Sequence, residues 1–500
     1  MKQTKTNMKL NQLILAAVAG LLFVFPTWAA DDSATNSTET AEIEALKKQV
    51  QELDQKVQAL ERQRESEQEA AANTNQEQIQ ELDQKVRILA RQHELDQEDA
   101  AAAAKTRPRF KLDASGFTLG SADTNFAISL QGVLQEDSRT FFADHNIANS
   151  GFLLRRARPI ISGTVFRDFD FNFTPDFGGN TAQIVDAYLN YRYRPELQLE
   201  AGKFKSPVGL EHLVADRNTL FNERSLVTDL MPNRDLGVAL HGDLFGGAVS
   251  YAAGIFNGAP DYNGTTVNAD SDNDKAFAGR LFFQPWKTSD VDWLRGLGFG
   301  AGGSYESDRN GASGLTPGYT TDGQQKFFVY TNGIAANGQH WRISPQGYYY
   351  YGPFGILGEY VISDQQVSRT TAPLTSADLQ HTAWEVAASW VLTGEDASYN
   401  SAVTPRHPFD PRAGHWGAWQ VVGRYEELNI DNSAFPTFAS STASASSAHA
   451  WSAGLNWYLN RNVRVNASFS HTVFSGYTGT SPAVPAQTEN VFFTRIQLAF

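Results

Sequence analysis

The sequence predicts an all-β transmembrane fold, an antiparallel outer-membrane β-barrel of about sixteen strands. From Phe110 onward, apolar and polar residues alternate with a period of two, strictly so in 168–174 and 185–193. Short turns and long polar loops separate these runs in alternation, and aromatic residues make up 12% of the chain. Because side chains of a strand point alternately to its two faces, such a chain can present apolar residues to lipid and polar residues to a wet lumen.

A soluble β-sandwich would show the same alternation of apolar and polar residues, but its aromatic face would be packed inside. The last run, 492–500, places Phe492, Ile496, Leu498 and the terminal Phe500 on one face. This terminal pattern, the aromatic excess and a secretory signal favour the barrel. We expect the barrel-assembly machinery to recognise the strand that ends in Phe500, and outer-membrane lipid to surround the barrel.

Residues 1–30 have the pattern of a signal peptide. Lys2, Lys5 and Lys9 precede an apolar run over 10–25, and small residues near Ala29 and Ala30 provide a cleavage site. The run is shorter than the ~20 residues of a membrane-spanning helix, so we favour cleavage over an uncleaved anchor.

Residues 31–106 predict a helical, coiled-coil extension before a barrel over 107–500. Its apolar residues follow heptad spacing at Ile43, Leu46, Val50, Leu53, Val57 and Leu60, and again at Ile79, Leu82, Val86 and Leu89. The segment QELDQKV occurs at Gln51 and again at Gln80, and 71–75 breaks the register between the two seams. A single solvated helix is the alternative to an oligomeric one.

The composition excludes several kinds of site. The formal charge of −14 argues against nucleic acid as a partner, and the chain has no Cys for disulfides or thiolate metal sites. The 10 His residues lack metal-ligand spacing, and Asp270, Asp272 and Asp274 resemble a calcium loop without its required Gly and Glu. No catalytic motif is present, so the sequence predicts neither an enzyme nor a cofactor or metal site.

One long stretch, 202–237, separates two predicted strands. It is rich in large apolar residues and carries five cations, so it is neither a tight turn nor a disordered linker. We therefore expect this loop to fold into the lumen of the barrel.

The residues of the barrel region resemble the phosphate-selective porins O and P of Gram-negative outer membranes. The resemblance rests on an ordered set of segments: FLLRRAR at Phe152, GKFKSPVGLEHL at Gly202, NERSL at Asn222, PNRDLGVALHG at Pro232, RISPQGYYYYGPFGILGEYV at Arg342, WVLTGE at Trp390, PFDP at Pro408 and GAWQVVGRY at Gly417. It implies a sixteen-stranded, homotrimeric porin in the outer membrane whose third extracellular loop, 205–235, folds inward. The helical extension would then lie in the periplasm.

Six basic residues are candidates for an anion-binding constriction: Arg156, Arg158, Lys203, Lys205, Arg217 and Arg224. Period two places Arg156 and Arg158 in the lumen and leaves Arg155 to snorkel, to lie near the interface or to sit at a bulge. The alternative is that lumen arginines only pair with acids such as Asp168, Asp170 and Asp186.

The best-known members of this family use Lys in the inner loop to hold phosphate. The corresponding residue here is Arg217, preceded by Asp216, so a general preference for anions is expected more firmly than strict phosphate selectivity.

We weigh three functions. The first is a passive outer-membrane channel for anions, such as inorganic phosphate, polyphosphate or other small anions. The second is an envelope tether in which the helical extension contacts other components and the pore is non-selective. The third is an outer-membrane hydrolase built from residues distant in sequence.

Overall fold

A computed structural model describes residues 39–142, 148–179, 182–262, 270, 272–476 and 488–500. The predicted signal peptide, 1–30, lies outside these residues. The chain divides into two compact units, one ending at Ala100 and the other spanning Ala101–Phe500. Within the described residues, no helix combines the length and hydropathy needed to cross a membrane.

The N-terminal unit consists mainly of one helix, α1 (Glu39–Thr106), which runs without interruption through 71–75, where the sequence shows a change of register. The described apolar side chains of the two seams are exposed: Val50, Leu53, Val57 and Leu60 in the first, and Ile79, Leu82, Val86 and Leu89 in the second. The helix is confirmed; its pairing with other helices stays a prediction.

The second unit is an 18-stranded sheet made of a closed ring of sixteen strands and a two-stranded hairpin. The hairpin is β1 (Arg109–Asp113) and β2 (Gly116–Gly120). The ring strands are β3 (Ala127–Phe141), β4 (Gly151–Val165), β5 (Phe169–Asp176), β6 (Gln183–Arg194), β7 (Leu197–Lys205), β8 (Arg234–Leu244), β9 (Val249–Phe256), β10 (Ala276–Phe283), β11 (Leu297–Gly311), β14 (Ile334–Tyr351), β15 (Phe354–Arg369), β16 (Ser376–Val391), β17 (Ala418–Asn429), β18 (Ser447–Tyr458), β19 (Val463–Ser475) and β20 (Thr488–Ala499). Strands β12 (Tyr319–Thr320) and β13 (Lys326–Phe328) form a separate small hairpin between β11 and β14.

The ring closes where β20 pairs antiparallel with β3, from Val491 opposite Phe141 to Ala499 opposite Val133. Phe500 extends this pairing through backbone hydrogen bonds in both directions with Gly132. The predicted count of about sixteen antiparallel strands is therefore confirmed.

The last strand shows why the sequence forms a barrel rather than a sandwich. Phe492, Ile496, Leu498 and Phe500 are exposed on the outside, whereas Phe493, Arg495 and Gln497 are buried inside. The alternation predicted from the sequence is confirmed, with the apolar face directed outward as a barrel in lipid requires.

Long loops at one end of the barrel alternate with shorter turns at the other. The exceptions are the turn 284–296 between β10 and β11 and the longest one, 392–417 between β16 and β17, which does not change the strand count. Tyr399 of this turn donates a 2.6 Å hydrogen bond to the Leu210 carbonyl, and Asn400 accepts one of 3.0 Å from the Ala215 N–H. The elaborate turn therefore reaches the loop between β7 and β8.

Three loops fill one side of the lumen with an apolar core. Val208, Leu226, Leu230 and Met231 from the loop after β7 pack with residues of the β12–β13 hairpin and with Phe438 between β17 and β18. This core lies against the inner faces of strands such as β15, β16 and β17, and it leaves open space beside β3–β10.

The short helical elements lie in loops and turns. They are α2 (Leu210–Leu213) and the 3₁₀ turns Leu226–Leu230, Phe245–Gly247, Asp292–Leu294, Ala312–Gly314 and Asn432–Ala434.

Candidate functional site

The segment 206–233, here called L3, folds into the barrel as the sequence predicts. It contains α2 and the 3₁₀ turn Leu226–Leu230, and most of its residues are buried. Two glutamates of the barrel wall hold its backbone: Glu359 accepts a 2.7 Å hydrogen bond from the Leu210 N–H, and Glu426 accepts one of 2.7 Å from the Leu226 N–H. Because these contacts lie well apart along the loop, L3 is fixed at two points.

A further contact closes L3 on itself. Glu211 accepts hydrogen bonds from the backbone N–H and the hydroxyl of Ser225, at 2.8 and 2.7 Å. The segment 212–224 is thereby held as a compact arc that carries Asp216, Arg217, Glu223 and Arg224.

The centre of this arc is Asp216, a buried carboxylate shared by four arginines, which we call the Asp216 cluster. Arg224 lies 2.6 Å from Asp216 Oδ1, and Arg156 lies 3.5 Å from the same oxygen. Arg158 contacts Oδ2, and Arg234 lies 3.6 Å from it. Two of the arginines have other acidic partners, Asp176 for Arg158 and Asp186 for Arg234.

The cluster keeps its carboxylate ionised. Burial raises the pKa of Asp216, but the nearby guanidinium groups of Arg224, Arg156 and Arg158 outweigh this effect and hold the pKa well below its ordinary value of 3.8. For the buried imidazole of His212, burial first and then Lys205 and Arg224 lower the pKa well below 6.5. His212 is therefore neutral and adds no positive charge to the cluster.

A second buried group of charged residues joins L3 to strands β3, β4 and β20. Glu223 lies 2.6 Å from Arg155, 3.1 Å from Arg139 and 3.6 Å from Arg495. Arg495 also forms two hydrogen bonds with Asp137, at 2.6 and 2.8 Å.

Arg155 reaches this group because it occupies a β-bulge. In the β3–β4 register, Arg156 is opposite Gln135 but Leu154 is opposite Glu136, so Arg155 is the extra residue. Of the three positions considered from the sequence, the structure shows the bulge.

Beside the Asp216 cluster, a vestibule of about 860 Å³ lies between L3 and the inner faces of β3–β10. Its lining includes the cations Arg158, Lys205, Arg217, Arg234 and Arg280 and the acids Asp170, Asp186, Glu200, Asp216 and Asp243. Asp168, which we expected on the inward face of a strand, instead lies exposed in the turn between β4 and β5. Asp170 and Asp186 do face the lumen.

The structure brings together most of the six candidate residues. Arg156, Arg158 and Arg224 share Asp216, and Lys205 lies nearby, donating hydrogen bonds to the carbonyls of His212 and Val214 at 2.7 and 2.8 Å. Arg217 lines the vestibule half-buried, with a 3.2 Å hydrogen bond to Gln131. Lys203 is buried in β7 near Asp186 and Asp235, away from the vestibule lining. Their binding of anions stays a prediction.

Sequence reasoning missed other members of the site. Arg234 lies in the long stretch 202–237, within the segment PNRDLG. Its position directly after L3 is the feature of the sequence that could have indicated its role. Arg139 and Arg495 are not among the six candidates, although the alternation of the last strand already places Arg495 on the inward face.

The sequence profile of the family described as "Phosphate-selective porin O and P" matches residues 128–500. The chain belongs to this family. Among curated relatives, Porin O of Pseudomonas aeruginosa is 23% identical over 387 residues, which cover 71% of this chain and 84% of the relative. Solved structures of similar form include an anion-selective porin from Comamonas acidovorans, with 12% identity, a TM-score of 0.48, and coverage of 75% of this chain and 100% of the other. The channel DcaP of Acinetobacter baumannii has 10% identity, a TM-score of 0.47, and coverage of 77% and 100%.

Membership of this family and the closed sixteen-stranded ring identify the chain as a porin of the outer membrane.

Proposed function

We propose that the protein is a passive outer-membrane channel selective for anions, with inorganic phosphate and similar small oxyanions as its solutes. The observation that carries this proposal is the Asp216 cluster, in which four arginines converge on one carboxylate beside the open vestibule. Rings of Arg or Lys favour anions in a pore, and the sign of the charge at the narrowest point outweighs a distant net charge. As a member of a porin family, the chain acts by conduction rather than catalysis.

The strength of such a site suits conduction. One hydrogen bond to a charged group contributes roughly 1.5–3 kcal/mol, and a millimolar dissociation constant corresponds to about −4 kcal/mol. Two to three guanidinium contacts are therefore enough to attract an anion that must leave again. Because Asp216 already occupies these groups in part, we expect moderate affinity and a general anion preference.

Substitution of Arg217 tests whether ion selectivity arises at the vestibule. It faces the vestibule, whereas Arg309 at the loop end of β11 is 72% exposed and paired with Asp274. We expect Arg217→Glu to shift the reversal potential toward cations clearly more than Arg309→Glu, because the charge changes by two units at the vestibule in the first variant only. Planar-bilayer recordings under a salt gradient measure this difference. Equal, small shifts in both variants would remove Arg217 from the selectivity site.

We also propose a homotrimer in which α1 contributes a coiled coil in the periplasm. The two QELDQKV segments begin 29 residues apart, which is about eight turns of α-helix, so both apolar seams lie on nearly the same side of one continuous helix. An exposed seam of this kind is buried most simply by copies of itself, and tethering to the barrels raises its effective concentration.

Cysteine crosslinking tests whether α1 associates with copies of itself, since the natural chain has no Cys. We expect Leu53→Cys, on the seam, to give disulfide-linked chains in the intact protein, whereas Gln55→Cys, on the opposite side of the helix, gives few. Crosslinking that is equal at the two positions, or absent at both, would contradict a homotypic seam.

A further inference from the structure

Three glutamates form a row across the wall behind L3. In the register of the sheet, Glu359 of β15 is opposite Glu385 of β16, and Glu385 is opposite Glu426 of β17. Directly opposite side chains lie roughly 4.5–5.5 Å apart at Cβ, and like charges in such pairs are destabilising. All three are buried. The row ends in uncharged residues, because Gln346 is opposite Glu359 and Ala450 is opposite Glu426.

The two outer glutamates have clear roles as hydrogen-bond acceptors. Glu359 accepts from the backbone N–H groups of Leu210 and Glu211, at 2.7 and 3.2 Å, and from the Ser344 hydroxyl at 2.6 Å. Glu426 accepts from the Leu226 N–H at 2.7 Å. Both therefore hold L3 through acceptor oxygens.

The middle glutamate is different. Glu385 is 1% exposed, and within the described part of the chain neither of its carboxyl oxygens has a hydrogen-bond partner. The charged groups that face it are Glu359 from β15, Glu426 and Arg424 from β17, and Glu211 from L3. Tyr350 of β14 is a further titratable group that its charge influences.

Arg424 does not neutralise this group of acids. Its guanidinium lies 2.6 Å from Asp322, 3.2 Å from Glu426 and 3.6 Å from Glu211. One positive charge is thus shared among several buried carboxylates, and an additional unpaired charge on Glu385 would be strongly unfavourable. No group of acids or histidines in the described residues has the arrangement of a metal site. A proton is the simplest counterion, since a neutral carboxyl can also donate to a neighbouring carboxylate.

We propose that Glu385 is a protonation site that keeps L3 docked on the barrel wall. The 3₁₀ turn Leu226–Leu230 packs against β15, β16 and β17, so a third negative charge in the row acts where L3 is attached. The docked state then holds one more proton than the released state. Through Glu385 alone, the ratio of docked to released loop is highest at low pH, and it falls about tenfold per pH unit where Glu385 is ionised in the released state but still protonated in the docked state. This inference concerns the attachment of L3 and does not depend on which ion the channel conducts.

Maleimide labelling of a single cysteine measures L3 release directly. Val227 is fully buried in L3, and Val227→Cys is the only thiol in the otherwise Cys-free protein. The labelling rate is measured in intact full-length protein, and the rate in the Val227→Cys background is divided at each pH by the rate in Val227→Cys/Glu385→Gln. This ratio cancels the pH dependence of the thiol itself.

We expect a ratio near one at pH values where Glu385 is protonated in both states, and a rise of about tenfold per pH unit where Glu385 is ionised in the released state but still protonated in the docked state. Glu385→Met, which also lacks a titratable group, should behave like Glu385→Gln, and this agreement would show that the amide itself does not perturb the row. The control is Glu427→Gln, the neighbouring residue on β17 whose carboxylate is bound by Asn429 outside the row. A ratio that stays near one at all pH values would overturn the proposal. Rapid labelling of both Glu385 variants at every pH would also overturn it, because the neutral side chains should dock.

Discussion

Replacing Asp216 with Asn is expected to raise the affinity of the channel for phosphate by at least about tenfold. Asp216 is the internal anion of its cluster, and Asn removes its charge while keeping its size. Arg156, Arg158, Arg224 and Arg234 then lose the carboxylate that they share. Phosphate can take that place, and a single charge-assisted hydrogen bond of roughly 1.5–3 kcal/mol already corresponds to a tenfold or greater change.

The measurement is block of chloride current by phosphate in planar bilayers. The matched control is Asp243→Asn, because Asp243 lines the same vestibule but accepts its hydrogen bond from Ser250. We expect half-block at much lower phosphate concentration in Asp216→Asn and little change in Asp243→Asn. An unchanged or weaker block in Asp216→Asn, with L3 still protected from maleimide at Val227→Cys, would show that anions do not bind at this cluster.

Replacing Glu223 with Gln is expected to release L3. This carboxylate contacts Arg155, Arg139 and Arg495, and all four side chains are largely buried. Removing one partner of a buried ion pair costs about 3–5 kcal/mol because the remaining charge is left uncompensated. We expect much faster labelling of Val227→Cys and a larger, noisier single-channel conductance. Glu136→Gln, an exposed change on β3, is the control. If Val227→Cys is labelled as slowly in Glu223→Gln as in the protein that keeps Glu223, other contacts hold L3.

The carboxylate of Glu223 also limits the docking of L3 at low pH. Burial raises the pKa of Glu223, but Arg155 and then Arg139 and Arg156 outweigh it, so the pKa lies below the ordinary 4.5. A group with a depressed pKa stabilises the docked loop above its ordinary pKa, and this stability is lost as pH falls below 4.5 toward the lower value. We expect acid-induced labelling of Val227→Cys, in the opposite direction to the alkaline release attributed to Glu385.

Much of the fold follows from local sequence patterns. Alternation with period two identifies the strands, and the terminal strand shows both faces in the predicted orientation because side-chain parity is a property of each strand alone. The length and apolar content of L3 indicate a packed inner loop before any coordinates are known. The sequence also shows that 392–417 is unusually long for a turn at this place in the barrel. It does not show that Tyr399 of this turn contacts L3.

The site is less predictable because it depends on relations between distant segments. A bulge adds one residue and reverses the parity of those beyond it, so period two alone does not place Arg155. The burial of Arg224 against Asp216 depends on the path of L3, and charge counting along the sequence gives no such pairing. The glutamate row requires the register of three strands joined by loops of unequal length.

The most direct test is the reversal potential of the unmodified protein in a planar bilayer that separates two potassium chloride concentrations. With the Asp216 cluster setting the sign of the field beside the vestibule, we expect a reversal potential of anion-selective sign, and a further shift in that direction for Asp216→Asn. A cation-selective or zero reversal potential in the unmodified channel would contradict anion selection at this loop.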